Sequence, residues 1–145
     1  MHTVKRSVLV PYSCSQMFKL VADVQKYPEF MPWCGGSAVH RHDESGMDAS
    51  VTISLAGIRQ TFTTRNTHDY PHNITIDLID GPFSALTGNW EFQELGPDAC
   101  KVLYTMQYEF SSRALETVVG PVFNRIASSF IDSFTKRAQN VYGDN

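Results

Sequence analysis

The chain changes its hydrophobic period once, and that change constrains its fold more than any other feature. From about Ser37 to Phe110 apolar residues recur at every second position; from Ser112 onward they recur at three and four. Val51, Ile53 and Leu55 alternate with Thr52 and Ser54, and Ile74, Ile76 and Leu78 alternate with Thr75 and Asp77. Ile58–Thr67 reads as another strand, with Phe62 on one face and Arg59, Thr61, Thr63 and Arg65 on the other. Leu86, Gly88, Trp90 and Phe92 share one face, as do Val102, Tyr104, Met106, Tyr108 and Phe110. Ser45-Gly46, Ala56-Gly57, Pro71-His72-Asn73, Asp80-Gly81-Pro82 and Gly96-Pro97-Asp98 are turn signals between these runs. Connections this short favour consecutive antiparallel hairpins with one buried face. The final stripe, Leu115, Val118, Val119, Val122, Phe123, Ile126, Phe130, Phe134, Ala138 and Val141, predicts one long helix capped by Ser111 or Ser112. Pro121 lies inside it and is expected to kink or break it near its first two turns.

Ahead of the hairpins, Thr3–Val10 reads as a strand closed by Pro11. Ser13 and Gln16 form a capping box before an amphipathic helix carrying Met17, Leu20, Val21 and Val24. Two prolines and two glycines in Tyr27–Gly36 allow at most a short helical turn and a loop. The order is strand, one or two short helices, six strands, long helix. A single long helix cannot cover both faces of a seven-stranded antiparallel sheet, so the sheet must curl and hold the helix on its concave side. This α+β arrangement is the helix-grip fold, and it leaves space between sheet and helix unless large side chains fill it.

Length and composition set the outer bounds. The 145 residues, 42% hydrophobic and 19% charged, suit a single globular domain spanning 1–145. A net charge of −3 excludes a uniformly basic nucleic-acid binder, and no DNA partner is expected. Cys14, Cys34 and Cys100 are odd in number and widely spaced, which argues against a disulfide framework or zinc site and for reduced thiols. The N-terminus has no apolar signal segment, and no run approaches a membrane span. A cytoplasmic protein, or one peripheral to the inner membrane through transient contact, is the expectation.

The candidate chemistry is apolar. Phe30, Met31, Trp33, Phe83, Leu86, Trp90, Phe110, Val119, Phe123, Ile126 and Phe130 are the candidate lining of a cavity between sheet and helix. Tyr104 and Tyr108, on the face of Met106, are candidate hydroxyl donors to a ligand head group. Phe30–Trp33 places large apolar groups in a Pro-bracketed loop, where polar residues are the rule, which suits it to gate that cavity. His40 and His42 fall on one strand face, but no acidic or cysteine ligand shares their spacing, so no metal is expected. Cys34 has no base tied to it in sequence, and no paired carboxylates or phosphate-cradling loop occur. A catalytic residue is therefore not assigned, and an enzyme is not the expectation; a catalyst using the same pocket stays as the third alternative, to be checked by whether an acid/base pair converges there.

Two segments go beyond generic patterning: Tyr27-Pro28-Glu29-Phe30-Met31-Pro32-Trp33-Cys34, and Asp80-Gly81-Pro82-Phe83 through Trp90-Glu91-Phe92. With Val10-Pro11-Tyr12-Ser13, Phe62-Thr63-Thr64-Arg65-Asn66 and Gly120 through Phe123, they resemble the START-like polyketide cyclase/lipid-transport superfamily. Within it they are similar to the branch joining mitochondrial coenzyme Q-binding proteins to bacterial ribosome association toxins of the RatA type. Met31 stands where that branch more often has Leu, and Pro121 is less usual there. The resemblance implies a START-like domain that binds ubiquinone or a related polyisoprenoid lipid, as carrier or chaperone supporting respiration, with no further cofactor. Its alternative implication is a toxin that binds the large ribosomal subunit and blocks subunit association; Arg59 and Arg65 are then the first contacts to try. A tail of three isoprene units gains roughly 12 kcal/mol gross at about 0.8 kcal/mol per methylene. Association costs on the order of 4–15 kcal/mol, so most of the tail would need to be enclosed.

Overall fold

In a computed structural model that describes residues 1–143, the chain alternates as its periods require. β1 (His2–Val10) leads into α1 (Cys14–Ala22), a 3₁₀ turn (Val24–Lys26) and the single turn α2 (Tyr27–Phe30). Six strands follow: β2 (Cys34–Asp43), β3 (Gly46–Leu55), β4 (Ile58–Asp69), β5 (Asn73–Asp80), β6 (Phe83–Gly96) and β7 (Ala99–Phe110). α3 (Arg113–Tyr142) closes the described chain. The end of the expected domain, residues 144–145, lies outside the described residues.

The strands form one seven-stranded antiparallel sheet in the order β1-β7-β6-β5-β4-β3-β2. All consecutive strands from β2 to β7 are hairpin neighbours, and only β1 travels, pairing with β7 along its full length from His2↔Tyr108 to Val10↔Cys100. Register shifts interrupt β2 twice, β5 once at Ile79 and β6 near both ends. Bulges of this kind bend a strand and increase its twist, and they let the sheet curve around the helix. At the β3 start, Gly46 has φ +145° and a Cβ there would lie 1.9 Å from the Asn66 carbonyl oxygen, so only glycine permits that crossing.

α3 runs beside β1. Near its start Glu116 lies 2.9 Å from His2; at its end the Tyr142 hydroxyl donates to the Gln16 carbonyl at 3.0 Å, and Tyr12 donates to the Gly143 carbonyl at 2.6 Å. Ser112 is its N-cap, its hydroxyl accepting from the Leu115 N–H, and the Ser13–Gln16 capping box forms as expected at α1. Among the described residues, no helix is long and apolar enough to cross a membrane.

Three local expectations are corrected. Pro121 does not break α3, which continues through it for 30 residues. Thr117, whose carbonyl loses its partner to the proline, and Pro121 are both exposed, so the unpaired carbonyl is open to solvent and carries no burial penalty. Val118 and Val141 belong to the apolar stripe by spacing but lie 58% and 49% exposed, so the buried stripe is shorter than its pattern. β2 begins at Cys34 rather than near Ser37, because Gly35 accepts a position where a Cβ would crowd Ser54 at 2.9 Å.

Candidate functional site

Between the sheet and α3 the interior divides into two halves. One half is solid. Phe83, Tyr108, Phe110 and Phe123 stack there, with Phe123 centroids 4.9 Å from Phe83 and 4.7 Å from Tyr108, and Phe62 meeting Phe83 and Phe123 at 6.0 Å. Phe110 packs beside Gly120 of α3. These rings bury themselves against one another, which is the lowest-energy use of their edge-to-face geometry.

The other half holds a cavity of about 60 Å³. Trp33 and Met31 reach it from the segment joining α2 to β2, Trp90 from β6, and Phe130 and Phe134 from α3. Its remaining wall is Val24 and Tyr27 on one side and the inner residues Ala49, Val51, Phe62, Thr64, Asn66, Ile76 and Met106 of β3, β4, β5 and β7 on the other. The wall is apolar except at two residues. Thr64 and Asn66 are the buried polar residues among those described, and the Thr64 hydroxyl donates to Asn66 Oδ1 at 2.8 Å. The Trp33 Nε1–H is buried with no hydrogen-bond partner. An orphaned indole N–H in a core forfeits roughly 1–3 kcal/mol of desolvation, so a native site that retains one calls for an explanation.

Of the candidate lining residues, Met31, Trp33, Trp90 and Phe130 meet at this cavity. Phe83, Tyr108, Phe110 and Phe123 do not; they plug the solid half, because their spacing on β6, β7 and α3 brings them face to face. Leu86, Val119 and Ile126 are buried without lining the cavity. Phe30 sits outside it, half-buried, with the Arg137 guanidinium 4.8 Å over its ring and Tyr27 and Phe134 at its edges. Neither candidate head-group donor is free. Tyr104 donates to the Met106 sulfur at 3.4 Å, and burial holds its pKa well above the phenol range. Tyr108 donates to Asn124 Oδ1, and burial pushes it up to about 12.

The polar wall was missed by sequence reasoning, although a signal existed. Phe62, Thr64 and Asn66 occupy alternate positions of β4, so a strand whose inner face begins with Phe continues with two polar residues. Tyr27 was missed for a different reason: its ring faces inward while its hydroxyl donates to the Val21 carbonyl, and burial raises its pKa.

On the outer face of the sheet, Arg65 forms a bidentate pair with Asp48 at 3.0 and 3.1 Å, which holds the Asp48 carboxyl down at about 2. Arg59 is exposed and makes no ion pair among the described residues. The bulge at His40 separates the two histidines expected on one face: His40 meets Ser50 Oγ at 2.7 Å on the outer face, while His42 lies 6.4 Å from His68 beside α1. Among the described residues no three His, Cys, Asp or Glu converge as a metal site.

Comparison with known proteins agrees with this architecture. Residues 10–135 match the family described as polyketide cyclase/dehydrase and lipid transport. A protein of Vibrio cholerae named ribosome association toxin RatA is 47% identical over 99% of this chain and 100% of its own length. A mitochondrial coenzyme Q-binding protein, COQ10 homolog B of Xenopus laevis, is 26% identical over 94% of this chain and 58% of its own. Among solved structures, the Zhui aromatase/cyclase from Streptomyces sp. R1128 superposes with a TM-score of 0.83 at 15% identity, covering 95% of this chain and 93% of that one.

Proposed function

The chain belongs to the polyketide cyclase/dehydrase and lipid transport family, and from that premise we propose that it is a non-catalytic binding module for a neutral apolar ligand carrying a hydrogen-bond acceptor. The observation that carries this reading is a cavity wall polar only at Thr64 and Asn66, to which Trp33 contributes with its buried indole N–H unpartnered. A ligand carbonyl or ether oxygen would satisfy that donor, and the apolar remainder would match the rest of the wall. A quinone has this chemistry. The groups at the cavity offer no acid/base pair: Thr64 and Asn66 bond each other, and the Tyr27 hydroxyl is engaged at Val21. Distant structural neighbours include aromatase/cyclases, but at 15% identity they speak for the fold alone.

Size limits the reading. The cavity of about 60 Å³ equals roughly two water volumes. Ligand pockets start at about 300 Å³, so a three-unit polyprenyl tail does not fit this conformation. Loading therefore requires the wall from Val24 to Trp33 to move. That segment consists of the 3₁₀ turn and the single turn α2 with a short extended stretch, and Glu29 holds it to Arg137 of α3 at 3.4 Å. Native mass spectrometry of freshly purified protein, and quenching of tryptophan fluorescence by a short-tailed ubiquinone analogue, test the proposal. A retained apolar adduct is expected, with saturable quenching that in Trp33→Phe, read through Trp90, needs roughly tenfold or more analogue for half-saturation. No adduct and no quenching at saturating analogue would overturn it.

A second reading, ribosome association in the cytoplasm, is favoured by the full-length 47% identity to a protein named for it. Arg59 is the better contact to test than Arg65, whose charge Asp48 already neutralises. Co-sedimentation with large and small ribosomal subunits at two salt concentrations decides it. Retention on the large subunit that weakens with salt and in Arg59→Ala is expected; no association at low salt ends this reading.

A further inference from the structure

The three cysteines sort into a pair and a single. Cys34 donates to the Gly36 carbonyl at 3.3 Å. Cys14 and Cys100, far apart in sequence, bring their sulfurs to 3.2 Å inside the core. Rigid elements set that approach. Cys14 is the first residue of α1, held by the Ser13–Gln16 capping box, and Cys100 lies in the β7 ladder opposite both Val10 and Glu94. A disulfide bond is 2.03–2.05 Å long, so about 1.2 Å of further approach, shared between two side-chain rotations, would close it.

We propose that Cys14 and Cys100 are a reversible oxidation site, a dithiol that hydrogen peroxide converts to a disulfide tying the start of α1 to β7. Cys14 is 6% exposed and Cys100 is fully enclosed, so Cys14 is the sulfur that meets the oxidant. Its sulfur attacks one peroxide oxygen and the O–O bond breaks, leaving a sulfenic acid and releasing one water. The Cys100 sulfur then displaces the sulfenic hydroxyl, forming the S–S bond and releasing a second water. The two thiol hydrogens leave in those waters, the two sulfurs are oxidised together by two electrons, and the peroxide is reduced by two. Burial pushes the Cys100 thiol upward, which suits it to the second step, where its partner is already in contact, rather than the first. The link would close a long loop and so restrict the unfolded chain, and α1 continues into the 3₁₀ turn whose Val24 forms part of the cavity wall.

The test is thiol counting. The intact chain is treated with hydrogen peroxide, quenched, unfolded in guanidinium and labelled with N-ethylmaleimide. One label instead of three, an intact mass lower by two hydrogens before labelling, and a Cys14–Cys100 linked peptide are expected. Dithiothreitol should restore all three labels. Cys34→Ser should take no label after oxidation, and Cys14→Ser should form no link. The oxidised protein should melt roughly 5 °C or more above the reduced one, and Cys14→Ser should show no such shift. Three labels after a treatment that fully oxidises the same chain in urea would overturn the proposal. So would a link through Cys34, or label loss that dithiothreitol does not reverse.

Discussion

His68 keeps Nε2 buried without a partner, its ring edge-on to Phe18 at 5.4 Å and facing His42 at 6.4 Å. Burial lowers its pKa below the ordinary 6.5, and the neighbouring His42 lowers it further; the groove also carries Lys19, Asp23 and Tyr70. The unfolded chain then takes up this proton before the folded one does. Its contribution to stability is therefore complete above about pH 6.5 and declines as pH falls through the gap between the two values. Melting midpoints at pH 7.5 and pH 5.5 should differ less in His68→Asn than in the unaltered chain, and an equal difference would place the acid sensitivity elsewhere. None of this is visible locally. In sequence His42 pairs with His40, and the bulge at His40 is what hands it to His68 instead. The same limit applies to the sulfurs, because spacing cannot show that Cys14 and Cys100 touch while Cys34 stands apart.

At the scale of an element, α3 shows how far pattern reading goes. Its position and the buried run from Val119 to Ala138 follow from spacing alone, because a helix that covers a sheet must bury one stripe, while the choice of Ser112 over Ser111 as its cap came from the structure. Its continuity through Pro121 does not, since the cost of a proline depends on which face loses the hydrogen bond. On this exposed face Pro121→Ala should restore a bond to the Thr117 carbonyl and stabilise the protein by roughly 1–3 kcal/mol, measured by denaturant unfolding. Destabilisation would mean that the proline's restriction of the unfolded chain outweighs the missing bond. The segment Tyr27–Trp33 is the converse case. Its composition announces an apolar loop against the core, and Met31 and Trp33 do enter it, but Phe30 turns outward under Arg137, a contact 107 residues away in sequence that no local rule reaches.

For the whole molecule, the division of the interior into a packed half and a hollow half governs how it should respond to truncation. Phe123 stands at the centre of the packed rings and is fully buried, so Phe123→Ala should cost about 3–5 kcal/mol, at the upper end of that span. Phe130 already borders empty space, so Phe130→Ala should cost less and enlarge the existing cavity. Denaturant unfolding of both variants checks the order, and an equal or reversed loss would show that the hollow half is as tightly packed as the other. The sequence by itself determined the element order, the antiparallel hairpins and the gripping helix, because period, turn residues and caps act over a few neighbours; the family was legible separately, from the resemblance of the Tyr27–Cys34 and Asp80–Phe92 motifs. Only the tertiary structure decided which aromatic rings fill the grip and which border its void, that Thr64 and Asn66 bond each other at that void, and that Arg65 is spent on Asp48. Those outcomes depend on curvature and on contacts between distant strands, where several large side chains compete for one volume and no single residue's preference settles the result.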